Sequence, residues 1–220
     1  MDNNCSGSDL QPTLIVIEGP AACGKTTLAH SVTTLLRQRG ESVFMASEFS
    51  DSWLGNELRL RSNRCLSSKP DWSLGLGGAV SYLADKITNL ERALQSKVDW
   101  VVLDRGPLSQ RVLGAFALTE VEDERHLQLI VDGADAWLKS RFSAASQVWV
   151  IVPPLSTLTQ RLEARCARAL SEAELARCRL EFNCYSAAAT MRLPFPARSV
   201  QWDAAVTETS KLLIAQLGIE

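Results

Sequence analysis

The sequence predicts a three-layer α/β/α fold built on a five-stranded parallel sheet, and three observations point there. Five short apolar runs recur along the chain: "LIVIE" (14–18), "SVFMA" (42–46), "WVVLD" (100–104), "QVWVIV" (147–152) and "SVQWD" (199–203). They are nearly continuous and rich in β-branched and aromatic residues, as strands are when helices cover both faces of a sheet. Helix-length segments separate them, over roughly 25–39, 76–97, 108–119, 122–142, 155–191 and 205–217. Finally, the first strand runs into a Gly-rich turn and then a helix. Such β–α alternation gives a doubly wound sheet with its ligand sites at the carboxyl ends of the strands.

The bulk composition is compatible with that reading. A chain of 220 residues that is 46% hydrophobic and 22% charged suits one domain with a full core, over 13–220, preceded by a disordered polar lead over 1–12. With 23 basic and 25 acidic residues the net charge is -2, so nothing grips a nucleic-acid backbone nonspecifically and any anion site must be local. No apolar run approaches the ~20 residues a bilayer span needs, and the N-terminus lacks a signal pattern, so the expectation is a cytoplasmic protein with no membrane partner. The six cysteines, Cys5, Cys23, Cys65, Cys166, Cys178 and Cys184, show no CxxC pairing and read as free thiols.

The first strand leads into "EGPAACGKTT", in which Gly19-x-x-x-x-Gly24-Lys25-Thr26 has the pattern of a phosphate-binding loop. Glycines allow the backbone to curl so that successive amides point inward, and the following helix adds its N-terminal dipole. Residues Gly19, Pro20, Ala21, Ala22, Cys23, Gly24, Lys25, Thr26 and Thr27 are therefore expected to surround the phosphates of a triphosphate, with Lys25 on the β/γ-phosphates and the Thr26 hydroxyl on Mg²⁺. Gly40 marks the end of the helix. The expected fold sharpens to a P-loop NTPase-type α/β/α domain with a helical lid.

Lys25 is the only cation in that loop, and a metaphosphate-like transition state calls for more positive charge from elsewhere. Asp104 closes the strand "WVVLD", where a carboxylate can hold Mg²⁺, and Arg105 follows it, within reach of a phosphate. Arg161, Arg165 and Arg168 recur at i, i+4, i+7, which on one helix puts them on one face. Ser171 and Glu174 then fit a capping box that starts a fresh helix. An arginine-bearing helix, a break and a second helix make a lid over about 161–178, although a charged face is also what a solvated helix presents. Segment 48–78 resists assignment; its Glu48, followed by Asp51, Glu57 and Arg59, can take a proton from the acceptor or orient it.

At these residues the chain resembles the thymidylate kinase family of P-loop nucleoside monophosphate kinases, from about 13 to 217. "IEGPAACGKTTLA" is similar to the family's opening, "VVLDRGPLS" to its Asp-Arg-Tyr strand end, "RLEARCARALSEAELARCRLEFNCYSAA" to its arginine lid, and "VQWDAAVT" to its terminal strand end. In "SEFSDSWLGNELR" only Glu48, Gly55, Leu58 and Arg59 match the acceptor stretch; Phe49 stands where the family has Pro, and Gly106 replaces the Tyr. Tyr82, Asp85 and Lys86 occupy the helix that meets the acceptor base in that family. The resemblance implies a nucleoside monophosphate kinase-like enzyme with Mg-ATP as donor. Its acceptor would be a thymidylate-like or modified pyrimidine nucleotide bound in a changed pocket. Lys25, Arg105, Arg165, Arg168 and Glu48 would be the catalytic groups, and Thr26 and Asp104 the metal ligands. Related kinases are often dimers, which leaves a homodimer open. Other acceptors remain as alternatives: a deoxynucleoside, a nucleic-acid-borne hydroxyl or another small-molecule hydroxyl. A GTPase-like switch is disfavoured, since no Asn-Lys-x-Asp pattern is present.

Among the remaining residues, Trp53 and Trp72 lie in the irregular region, where an indole can stack on a base or simply pack in a loop. Trp100, Trp137, Trp149 and Trp202 read as core, and His30 and His126 as structural or solvated helix residues. Cys23, inside the amide-rich loop, reads as a thiol open to oxidation.

Overall fold

The computed structural model describes residues 11–64, 76–114, 121–188, 191–200 and 206–217. Strands β1 (Thr13–Glu18), β2 (Val43–Ala46), β3 (Trp100–Asp104), β4 (Gln147–Ile151) and β5 (Ala197–Val200) form one all-parallel sheet in the order β2-β3-β1-β4-β5. Eight helices are present among the described residues: α1 (Lys25–Gln38), α2 (Trp53–Arg64), α3 (Leu76–Gln95), α4 (Pro107–Gly114), α5 (Val121–Arg141), α6 (Leu155–Cys166), α7 (Glu172–Ser186) and α8 (Val206–Ala215). None of the described helices is long and apolar enough to cross a membrane.

Side chains alternate across the central strand, so β1 feeds two cores. Ile15 and Ile17 join Trp149 and Ile151 under Leu28, Val32 and Leu36 of α1 and Leu213 and Ile214 of α8. On the opposite face Leu14 and Val16 join Val101, Leu103 and Val148 under Leu90 of α3, Leu108 and Val112 of α4, and Leu138 of α5. With apolar partners on both sides, these strands have no reason to alternate polar and apolar residues, which is why their sequences read as continuous runs. In α1, Leu28, Val32 and Leu36 repeat every four residues and are fully buried, and Gly40 beyond its end takes a left-handed φ of 87°.

Several boundaries differ from the sequence expectation. Within 155–191 the expected break between two helices is present, but it falls before Arg168. α6 ends at Cys166 because Ala167 turns left-handed at φ 54°, and α7 starts at a complete capping box between Ser171 and Glu174. Arg168 therefore lies beyond α6 and does not share the face of Arg161 and Arg165. Part of the unassigned segment forms α2, and the last expected strand is described from Ala197 to Val200, its residues 201–203 lying outside the described residues. The expectations for Trp72, Trp202, Cys5, Cys65 and the stretch 115–119 lie outside the described residues.

Trp149 is wholly buried at the centre of the sheet, its indole N–H donating to Gln147 Oε1 at 3.1 Å. Trp149→Ala is expected to cost about 3–5 kcal/mol of stability, read from urea unfolding of the full chain. A loss below ~1 kcal/mol would show that the core does not depend on the ring.

Candidate functional site

The site forms where the central strands end. Ile17 of β1 pairs with Asp104 of β3, so the 19–27 loop, which follows β1, springs up beside the Asp104–Arg105 turn. Three left-handed or glycine-only backbones curl that loop: Gly19 at φ 151°, Ala22 at 61° and Gly24 at 103°. A Cβ on Gly19 would lie 2.4 Å from the Ile151 carbonyl oxygen, so glycine is required there for close approach as well as for conformation.

Lys25 lies inside the curl. Its buried ammonium donates to the carbonyls of Gly19 at 3.0 Å and Pro20 at 2.7 Å, with Cys23 Sγ at 3.6 Å. Two loop amides are already used: Cys23 N–H bonds the Pro20 carbonyl, and Ala21 N–H donates to Glu181 Oε2 of α7 at 2.9 Å. Among the described residues the amides of Ala22, Gly24, Lys25, Thr26 and Thr27 have no hydrogen-bond partner, as expected where a curled loop meets a helix N-terminus. Cys23 is fully buried, which corrects the reading of it as an oxidisable thiol: burial shields its sulfur.

Thr26 Oγ1 donates to Asp104 Oδ2 at 2.6 Å, while Asp104 Oδ1 is buried with no hydrogen-bond partner. A hydroxyl and a carboxylate with a spare oxygen are hard donors of the kind Mg²⁺ takes in twos, completed by water and phosphate. The pair therefore fits the expected ion, although no group of three or more His, Cys, Asp or Glu converges as a protein-only metal site among the described residues.

Arg105 has a left-handed φ of 65°, uncommon for a residue with a side chain. Its amide bonds the Ile17 carbonyl at 3.0 Å, and its Nε lies 2.8 Å from Glu48 Oε1. Burial would raise the Glu48 pKa, but the charges of Arg105, Lys86, Lys25 and Arg165 outweigh it and hold the carboxyl below its ordinary value. The structure thus brings Lys25, Arg105, Arg165, Glu48, Thr26 and Asp104 to one mouth. Arg165 is exposed, with no hydrogen-bond or ion-pair partner among the described residues, and Arg161 donates to the Cys23 carbonyl at 3.2 Å. Arg168 is not brought there: it forms a two-pronged pair with Glu174 of the capping box, at 2.8 and 2.9 Å.

On the β2 side, Arg59 bonds the Phe49 and Ser50 carbonyls, each at 3.3 Å, and lies 3.6 Å from Asp51. Asp85 receives Ser50 N–H at 2.9 Å, the Ser50 hydroxyl, and Ser52 Oγ at 3.1 Å. Tyr82 packs on Phe49, with ring centroids 5.4 Å apart, in a cluster with Leu58. These residues shape the loop after β2 from its interior side. Glu57 pairs with Arg61, and Trp53 is 80% exposed at the start of α2. The other aromatic and histidine residues hold few surprises: Trp137 packs against Phe142 and Trp100 bonds Glu41, while His30 and His126 are exposed.

Glu18 and Glu181 escaped sequence reasoning, and Lys86, which the resemblance set on the acceptor helix, is engaged with the main chain instead. Lys86 is buried, and its ammonium donates to the Ser47 carbonyl at 3.0 Å and the Asp104 carbonyl at 2.8 Å, tying the ends of β2 and β3 together. Burial pushes its pKa down to about 8, against the pull of Glu48, Asp104 and Asp85. Glu18 is buried at the end of β1 and accepts from Gly106 N–H at 2.8 Å, Ser109 N–H at 3.2 Å and Ser109 Oγ at 2.5 Å. Glu181 is the acceptor on the Ala21 amide. The signal for Lys86 and Glu18 was a charge within an otherwise apolar face. The glycine that follows Arg105 also finds its reason here, since a Cβ on Gly106 would meet Val16 Cγ1 at 2.6 Å and Glu18 Oε1 at 3.2 Å.

Burial raises the Glu18 pKa to about 7 from 4.5, opposed by Ser109, Arg105 and Gly106. The folded chain therefore binds more protons here than the unfolded chain between those values. The resulting stability is fully present below pH 4.5 and is lost as pH rises through 7. Relative to a Glu18→Gln variant, the wild type should lose on the order of 3 kcal/mol across that window, measured by urea unfolding at several pH values. A difference that stays flat with pH would contradict the shift.

Comparison with protein-family models and with curated proteins finds no match.

Proposed function

We propose that the protein is a Mg-ATP-dependent phosphotransferase of the P-loop NTPase type, acting on a small nucleotide-like acceptor. The observation that carries this reading is the set of five unpartnered amides around Lys25, at the start of α1 and beside the Thr26–Asp104 pair. Amides and ammonium together bind polyphosphate without a folding change, because the loop is already curled. Thr26 and Asp104 would hold Mg²⁺, which supplies charge neutralisation on the phosphates when bound. The residues of the chain do the rest. Lys25 leaves the Gly19 and Pro20 carbonyls for phosphate oxygens, Arg105 meets the transferring group from the β3 side, and Arg165 meets it from α6. Arg168 contributes only if its pair with Glu174 opens. ATP as donor fits a cytoplasmic enzyme.

For the acceptor, the resemblance favours a nucleoside monophosphate, thymidylate-like or with a modified pyrimidine. A second reading, transfer to a hydroxyl, is favoured by one observation: Glu48 faces Lys25 and Arg165 as a carboxylate already paired with Arg105. In that case the hydroxyl oxygen bonds Pγ, the bond from Pγ to the leaving ADP oxygen breaks, and the hydroxyl proton passes to Glu48. On the monophosphate reading, the acceptor's phosphate instead displaces Glu48 from Arg105.

Incubation with Mg-ATP and a panel of nucleoside monophosphates, deoxynucleosides and oligonucleotides, followed by ³¹P NMR, separates the two by a diphosphate or a monoester product. ATP hydrolysis indifferent to every acceptor would end the kinase reading. Lys25→Ala should lower kcat by about 100-fold or more with the fold intact. Arg165→Ala should lower kcat more than it raises the KM for ATP, with a smaller effect for Arg168→Ala. Equal, wild-type kinetics in both arginine variants would remove the lid from the mechanism.

A further inference from the structure

A buried carboxylate is costly unless its oxygens are hydrogen-bonded, and Glu18 is wholly inaccessible with both oxygens engaged. Its bonds all go to the turn and helix that follow β3. Gly106 and Ser109 amides lie at the start of α4, where the Ser109 amide is shared between the Gly106 carbonyl and Glu18, each at 3.2 Å, so Glu18 caps α4 from a different strand. Ser109 Oγ is the centre of the cluster: it lies 2.5 Å from Glu18 Oε2, 2.9 Å from Tyr185 Oη on α7, and 3.4 Å from Arg105 NH1. Arg105 thus has two contacts. Its Nε pairs with Glu48 toward the mouth of the site, and its NH1 reaches Ser109 on the interior side.

From this geometry we infer that Glu18 is a positioning residue which, through Ser109 and the Gly106 amide, holds the Arg105 turn in its strained backbone and aims the guanidinium at the site. The inference rests on the phosphotransferase reading given above. Glu18 directly precedes Gly19, so one residue sets both the root of the 19–27 loop and the turn that carries the arginine. When a substrate phosphoryl group exchanges with Glu48 at the Nε face, the Ser109 contact stays behind and the guanidinium keeps its aim. Tyr185 extends the same cluster to α7, whose Glu181, one helical turn earlier, accepts the Ala21 amide. The loop, the arginine turn and the helix that follows the lid are held by two carboxylates, one on each side of the loop.

The test is a double-mutant cycle in kcat, using Mg-ATP with thymidine monophosphate and with thymidine, and ADP release as the readout. Glu18→Gln keeps the size of the side chain and should lower kcat about tenfold with the KM for ATP within about twofold, whereas Arg105→Gln should lower kcat about a hundredfold. If Glu18 acts through Arg105, the double variant is no slower than Arg105→Gln alone. Multiplying effects, or a wild-type rate in Glu18→Gln, overturn the inference while leaving the phosphotransferase reading in place. Should calorimetry with Mg-ATP show no binding to the wild type and neither acceptor turn over, that reading falls and takes the inference with it. Thermal melts report folding. If Glu18→Gln does not fold, Ser109→Ala removes the same Arg105 contact and must show the same non-additivity with Arg105→Gln.

Discussion

The parallel ladder between β1 and β3, in the register that sets Ile17 opposite Asp104, is the constraint on which the site depends. A slip of one residue would turn Asp104 to the other face of the sheet and bury it among helix side chains. In the observed register, the strand that feeds the loop and the strand that ends in Asp104–Arg105 finish side by side. The Thr26 hydroxyl then reaches the carboxylate with no adjustment of the main chain. The two apolar cores enforce that register, since Ile15 and Ile17 can face α1 only while Leu14 and Val16 face α3 and α4.

Around this junction the protein concentrates charge that its net value of -2 conceals. Arg105, Lys86, Lys25 and Arg165 all act on Glu48, while Glu18 and Glu181 sit at the other sides of the same loop and turn. Charges in a partly dry cleft act on one another far more strongly than on the surface, so the local field is set by this handful of groups. The partnering is uneven. Lys86 donates to main-chain carbonyls, and Arg59 to main-chain carbonyls and the Asn56 side chain, so both serve the shape of the β2 side, whereas Arg165 has no such commitment among the described residues.

The parts of this arrangement that were legible in the sequence are those encoded locally. Continuous apolar runs revealed the strands, the glycine spacing revealed the curled loop, and the Ser171–Glu174 pair revealed the start of α7, because each depends on residues within a few positions of one another. The arginine face failed at Ala167, where a left-handed turn ends α6; alanine is a strong helix former, and the capping box at Ser171 announces a break without saying that it begins before Arg168. Helix α2 was hidden by its polar sequence, with Gly55 inside it. That glycine is there because a Cβ would lie 2.3 Å from the Ser50 carbonyl oxygen, a contact visible only in three dimensions. Glu18 and Lys86 were visible as charges on apolar faces, but their partners lie many positions away in the chain, and spacing says nothing of them.

The ammonium of Lys86, fastened to the last carbonyls of two neighbouring strands, also limits how this molecule can be altered. A hydrophobic replacement of similar length would fill the space yet take this donor from the buried Asp104 carbonyl, and a shorter polar one would not span the two acceptors. Attempts to repack α3 must therefore work around this residue, whereas the loop after β2 leaves more room for variation.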